Sequence, residues 1–188
     1  DFEDFAAAFT GIGKAQAVWL WDGEQRLVHL TVAGTDGAPL DPNAALYRNL
    51  LAAIDGARPP HQPLRVSPCL DLRFGLTAGL WIAPEYEAEK VLAAAGQALA
   101  AAFGFAARAF GQQVTGSEVL AVLQGVAGVI GADLDKLIQV ESELTVLTSN
   151  GPDGSIPARS ARWQGNSLQP ADLLLLDPTA ITLTERTS

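Results

Sequence analysis

The cleanest pattern in the chain is the alternation from Leu70 to Ile82. Leu70, Leu72, Phe74, Leu76, Ala78, Leu80 and Ile82 are apolar, and Asp71, Arg73, Gly75, Thr77, Gly79 and Trp81 stand between them. A period of two predicts a strand with one face in a core. The two glycines on the other face predict a bend or a close neighbour. Shorter alternating runs predict strands over 16–21 and 26–33, joined as a hairpin through Asp22-Gly23. On the first, Val18 and Leu20 face one way and Trp19 and Trp21 the other. On the second, Val28, Leu30 and Val32 share a face, which leaves His29 on the opposite, solvated one.

Helical spacing recurs four times. Phe2, Phe5 and Phe9 predict a helix over 1–9 that Gly11 stops. Leu46, Leu50 and Ile54 predict a second, with Asp41 as N-cap and Pro42 in the first helical position. Leu92, Ala95, Leu99 and Phe103 predict a third over 85–103; Glu85, Glu87 and Glu89 fall in its first turns, where the helix dipole favours them. Thr115 and Glu118 have capping-box spacing and open a fourth. Beyond it the pattern predicts a strand and turn over 129–143, a strand or an extension of it over 144–147, and a turn-rich stretch over 149–154. An exposed arm over 156–165 follows, then strands at 173–176 and 181–184.

Two of these stretches read as one phrase. Phe2, Phe5 and Phe9 fall on Val119, Val122 and Val126 at an offset of 117 residues, as from Phe2 to Val119. Gly11-Ile12 falls on Gly128-Val129 and Ala15 on Ala132. In both, an apolar helical stripe ends at a glycine and a strand-like run follows. The expected class is α+β: two related two-layer α/β sandwich units, each a ferredoxin-like half, with mostly antiparallel strands. The first unit is placed at 1–68. The second is placed at 69–188 and includes the arm and the closing strand.

Composition narrows the function classes. Hydrophobic residues make up 48% of the 188 residues and charged residues 18%, so a packed core forms and global disorder is excluded. A net charge of −9 argues against broad attraction to nucleic acid or anionic lipid. The single cysteine, Cys69, allows no intrachain disulfide and no cysteine-based zinc site. The most apolar stretch, 91–107, is mostly alanine and is broken by Gly96, Gln97 and Gly104, so membrane insertion is not expected. The chain has no methionine and starts inside its first helical turn, which suggests a piece of a longer polypeptide.

Candidate chemistry is sparse. His29 and His61 lack a second ligand at helical spacing and read as solvated. Cys69 has no basic neighbour to activate it. Gly11-Ile12-Gly13-Lys14 lacks the remaining positions of a phosphate loop and follows a helix instead of a strand, so a helix stop explains it. Asp133 and Asp135 place two carboxylates on one strand face, a pair that could hold Mg²⁺ or do acid/base work but more often forms a solvated surface. No catalytic residue, metal ligand or cofactor site is assigned. The aromatics are more suggestive: Trp19 and Trp21 share a strand face, Trp81 lies opposite its strand's core stripe, and Trp163 sits in the arm with Arg159 and Arg162. These six residues are the candidate interface anchors.

Asp4-Phe5, the run from Phe9 through Gly11-Ile12 to Lys14-Ala15, Val18-Trp19 and Val28 through Gly34 resemble the C-terminal region of baseplate J-like proteins. These are wedge components of contractile phage tails and related contractile injection systems. Residues 91–103, Arg108 through Gln112, Val114-Thr115, Ser117 through Val119, Pro157 through Arg159, and the closing Ala171 through Pro178 with Ile181 through Leu183 resemble the same region in the branch of baseplate assembly proteins. The resemblance implies a structural subunit without catalysis. Its partners would be other wedge subunits and hub or sheath-proximal proteins in a hetero-oligomeric ring. It would assemble in the bacterial cytoplasm into a tail or tail-like particle and shift as a rigid body on firing. Read from the residues alone, two alternatives stand beside it: a ligand-binding regulatory module with a pocket at the repeat interface, and an enzyme using Asp133 and Asp135.

Overall fold

The computed structural model describes residues 2–59, 61–140, 146–147 and 154–187. In chain order the elements are α1 (Phe2–Ala7), β1 (Ile12–Trp21), β2 (Arg26–Gly34), α2 (Ala45–Ala57), β3 (Leu64–Pro68), β4 (Leu70–Ile82), α3 (Ala88–Phe103), β5 (Val114–Thr115), α4 (Gly116–Gln124), β6 (Val129–Val140), β7 (Val146–Leu147), β8 (Ser155–Ile156), β9 (Arg162–Gln164), β10 (Ser167–Gln169) and β11 (Asp172–Glu185). They form two units, Asp1–Asp71 with Arg159–Leu173, and Leu72–Ala158 with Leu174–Ser188. The fold is α+β with mostly antiparallel pairing, as the periodicities predict. The turn-rich stretch over 149–154 and the end of the 129–143 segment fall largely outside the described residues.

In the first unit the sheet order is β1-β2-β3. β1 and β2 pair as an antiparallel hairpin, and β3 returns parallel to β2 after α2. Ala6, Ile12, Leu30, Val32, Tyr47, Leu50 and Ile54 form the core on the helix side. The Tyr47 hydroxyl donates to the Val66 carbonyl at 2.8 Å, tying α2 to β3. Asp41 does not cap α2. Its carboxylate accepts the Asn43 N–H at 2.8 Å and its carbonyl accepts the Ala44 N–H at 2.9 Å. Asp41 therefore closes a local turn of its own, and the helix begins at Ala45.

β2 is buried on both faces: every residue from Leu27 to Gly34 is inaccessible. The expectation of a solvated His29 is thus corrected; the side chain is fully buried. Its cover is the segment 159–173, which was expected to begin as an exposed arm. Ala161, Ala171, Asp172 and Leu173 are buried. The Ala171 N–H donates to the Thr31 hydroxyl at 3.2 Å, and that hydroxyl lies 3.4 Å from His29 Nδ1. The Leu70 N–H donates to the Ala171 carbonyl at 3.0 Å. Asp172 closes the strap on itself: Oδ2 accepts the Arg159 N–H at 2.8 Å, and the Asp172 N–H donates to the Arg159 carbonyl at 2.9 Å.

Burial, and then the nearby Arg65 guanidinium, push the His29 pKa down to about 4. The folded value lies below the unfolded one of about 6.5. The neutral ring is therefore accommodated in full above pH 6.5, and stability is lost as pH falls from there through 4. The loss is about 3 kcal/mol across that window. Urea titrations at closely spaced pH values should show this slope, and His29→Gln should flatten it. An unchanged slope in the variant would show that another group carries the dependence.

In the second unit the sheet order is β11-β4-β6-β7. α3 and α4 cover the face bearing Phe74, Leu76, Ala78 and Leu80. They contribute Ala95, Leu99, Phe103, Val119 and Leu123 to a core that Val114, Ile156, Leu174 and Leu176 complete. Phe74 and Phe103 meet edge to face, with centroids 5.5 Å apart. The alternating glycines of β4 have the close neighbours they predict: Ala180 lies against Gly75 and the Arg186 side chain crosses Gly79. Residues 173–176 and 181–184 belong to one strand, β11.

The capping box is half formed. The Thr115 hydroxyl accepts the Glu118 N–H at 3.1 Å, but the Glu118 carboxylate pairs with Arg108 at 2.9 Å. Arg108 is 1% exposed. Its guanidinium also donates to the Gln112 and Gln113 carbonyls at 2.8 and 2.7 Å and lies 5.5 Å from the Phe103 ring. Burial lowers its pKa, and the Glu118 carboxylate opposes that.

The repeated phrase is a repeated structure. Gly11 and Gly128 both have positive φ, 95° and 92°. The Ile12 N–H donates to the Phe9 carbonyl at 3.0 Å, and the Val129 N–H to the Val126 carbonyl at 3.1 Å. The Thr35 N–H donates to the Gly11 carbonyl at 3.2 Å, and the Ala83 N–H to the Gly128 carbonyl at 2.9 Å. In each unit the register shifts one residue past that glycine, between Ile12 and Lys14 and between Val129 and Gly131. β1 therefore corresponds to β6, β2 to β4, and α1 to the second half of α4. The connections differ: β1 turns directly into β2, whereas β4 precedes β6 by way of α3 and α4.

Candidate functional site

The register sorts the candidate anchors by face. Trp19 lies opposite Val28 and Trp21 opposite Arg26. Paired residues of an antiparallel ladder share a face, so both tryptophans stand on the helix side of the sheet, at its hairpin end. Each is 57% exposed. Arg26 places its guanidinium 5.4 Å from the Trp19 ring, which orients that side chain by cation–π attraction. Asp22 orders the turn between them: its Oδ1 accepts the Glu24 and Gln25 N–H groups at 3.0 and 2.8 Å. Those bonds hold its pKa below the usual carboxylate range.

Two hollows adjoin this end of the first unit, one mainly apolar and one mixed. One of about 310 Å³ is lined by Phe2, Phe5, Ile54, Ala57 and Pro59. The other, of about 240 Å³, lies among Phe2, Glu3, Ala17, Trp19 and Val28. Phe2 lines both, so Phe5, Phe2 and Trp19 border adjoining hollows, with Trp21 further along the same strand face. Phe5 is 39% exposed. The helical stripe placed Phe5 on one face with Phe2 and Phe9, and Phe5 was not among the candidate interface residues. The signal for it was the shortness of the helix before Gly11, too short to bury all three rings.

The arm residues serve the strap first. Arg162 donates from Nε to Gln164 Oε1 at 3.1 Å, and its Nη1 lies 3.9 Å from Asp172. The Arg159 backbone holds Asp172, while its side chain is exposed. Trp163 is half-buried in the β9-β10 hairpin, opposite Leu168. In the second unit Trp81 is also half-buried and lies against Gly131, whose missing side chain leaves room for the ring. Tyr86 and Ile130, 47% and 70% exposed, were not foreseen as surface apolar residues.

Asp133 and Asp135 lie on the face of β6 away from the core: Asp133 is opposite Gly79, over which the Arg186 side chain crosses to reach Asp135. β6 bulges at Asp135, which is skipped between Leu134 opposite Ala78 and Lys136 opposite Thr77. Asp135 is ion-paired to Arg186. Among the described residues no three of His, Cys, Asp and Glu gather into a group that could hold a metal ion. No helix among them is long and apolar enough to cross a membrane.

Residues 1–67 match the family model of the baseplate J-like central domain. The baseplate J-like resemblance therefore holds for the first unit's sheet and helices. It is corrected in one respect: the matching region is the family's central domain, not its C-terminal one. No curated protein matches the chain.

Proposed function

We propose that the chain is a structural segment of the baseplate of a contractile tail or contractile injection system, working as a wedge component in assembly. The observation that carries this reading is the baseplate J-like central-domain match over residues 1–67. The exposed Trp19 and Trp21 and the hollows beside Phe2 support it, because exposed aromatic surface next to concavities marks association sites. Trp81, Trp163, Arg159 and Arg162 are proposed as further contacts with neighbouring wedge, hub or sheath-proximal subunits. On firing, each two-layer unit would move as a rigid body, because packed cores resist continuous deformation. No catalytic step is part of this reading.

Purified tail particles test it. Peptides from 1–188 should appear in the particles by mass spectrometry, and imaging should place the polypeptide in the baseplate. Removing it should yield tails without an assembled baseplate. Intact, functional particles that lack the polypeptide would overturn the proposal.

A further inference from the structure

The two related units differ in what covers one surface. Following the register, Ala17 opposite Leu30 corresponds to Leu134 opposite Ala78, and Trp19 opposite Val28 corresponds to Leu137 opposite Leu76; the bulged Asp135 supplies the extra residue. Phe2 and Phe5 correspond to Val119 and Val122. In the second unit these positions are closed over: Val119 is fully buried, Leu137 is 5% exposed, and Val122 packs against the core. In the first unit Trp19 is 57% exposed and Phe5 39% exposed.

The cover in the second unit is extended chain. β8 pairs with β5, Ile156 opposite Val114, and both side chains are fully buried in the core beside Val119 and Leu137. The Gly116 N–H donates to the Gly154 carbonyl at 3.2 Å, and Leu134 packs at Gly116. A short extended segment with one β-branched anchor thus seals the junction of the helix start and the outer strand. In the first unit the matching junction holds a mixed hollow in which Phe2, Ala17, Trp19 and Val28 form the apolar wall and Glu3 and Gln62 the polar rim, with the Ala17 N–H donating to Glu3 at 2.7 Å.

We propose that this surface of the first unit receives an extended segment from outside residues 1–188, carrying an isoleucine- or valine-sized anchor that seats beside Phe2 and Trp19 as Ile156 seats in the second unit. Phe5 and Trp21 flank the anchor. The Glu3 carboxylate on Ala17 guards the strand edge, so side-chain insertion carries more of the recognition than main-chain pairing. The inference deepens the assembly reading by naming the partner's chemistry. It rests on that reading only for where the segment comes from.

The test uses the chain 1–188, isotopically labelled, and an acetylated peptide copying residues 154–160. Amide resonances of 2–5, 17–21 and 54–59 should shift saturably in the millimolar range. Replacing the peptide's isoleucine with glycine should abolish the shifts. Phe5→Ser and Trp19→Ala should each weaken binding at least tenfold while the remaining spectrum stays folded, and Ile130→Ser should leave binding unchanged. Three results overturn the inference: no saturable shift, equal binding by the Phe5 and Trp19 variants, or tighter binding of an amphipathic helical peptide at the same resonances. Self-association of the chain that Phe5→Ser abolishes would also overturn it, by assigning the surface to a second copy. Each leaves the particle experiment untouched, so failure here is distinguishable from failure of the baseplate reading.

Discussion

Arg108→Ala should destabilise the second unit by about 3 kcal/mol, the low end of the range for removing one partner of a buried ion pair. Arg108 is buried, but Glu118 is 38% exposed and stays partly hydrated. The guanidinium holds Glu118, which lies in the first turn of α4, and the Gln112 and Gln113 carbonyls of the preceding loop. Removing it strands a carboxylate and two carbonyls and uncovers the Phe103 ring. Because the cost comes from groups left without partners, its size should depend on Glu118. Glu118→Gln alone should cost less, since an amide still accepts from Arg108. Arg108→Met combined with Glu118→Gln should recover much of the loss, because a long apolar stem refills the space. Denaturant unfolding followed through Trp81, in a chain whose other tryptophans are phenylalanine, reads the affected unit. A loss for Arg108→Ala below about 1 kcal/mol, the scale of a surface pair, would show that the interaction is solvated after all.

The second large effect belongs to the paired glycines. Gly11→Val and Gly128→Val should each cost about 3 kcal/mol, combining a β-branched residue at positive φ with overpacking. A Cβ at Gly11 would lie 2.9 Å from Leu46, and one at Gly128 would lie 2.8 Å from Tyr86. Each variant should loosen its own unit. Hydrogen exchange should rise in β1 and β2 for Gly11→Val and in β4 and β6 for Gly128→Val. If only one substitution destabilises, the two helix-to-strand turns are not equivalent in energy, whatever their geometry.

These glycines also show how much of the molecule its sequence discloses. Offset and spacing alone aligned Gly11 with Gly128, because a backbone conformation closed to most residues leaves a visible mark. β4 was equally plain, since one of its faces meets a single continuous core. His29 was misread for the opposite reason. It alternates with Val28 and Leu30 as a solvent-facing residue would, and the strap that covers it lies more than 100 residues downstream, a tertiary fact that no local period reports. Asp41 carried a valid capping signal, but the same carboxylate can close a turn with Asn43, and the closer bond won. Of the proposed surface, Trp19 and Trp21 were legible because large apolar side chains stood out on a short strand. Phe5 was not, because a helical stripe does not say how wide its own groove is.

The strap over β2 has a consequence for where this protein can be divided. The family match ends at residue 67, yet the sheet of that region is finished by 159–173. Cut at the family border, the piece would present Leu27, His29, Thr31 and Ala33 to water, a bare wall prone to sticking. Seen from the first unit, everything from 72 to 158 is an insertion spliced into one of its own connections. Truncation that respects the sequence boundary would therefore unroof the first unit, and exchanging 72–158 alone would take β4 from β11, so a clean exchange of the second unit must carry 174–188 with it.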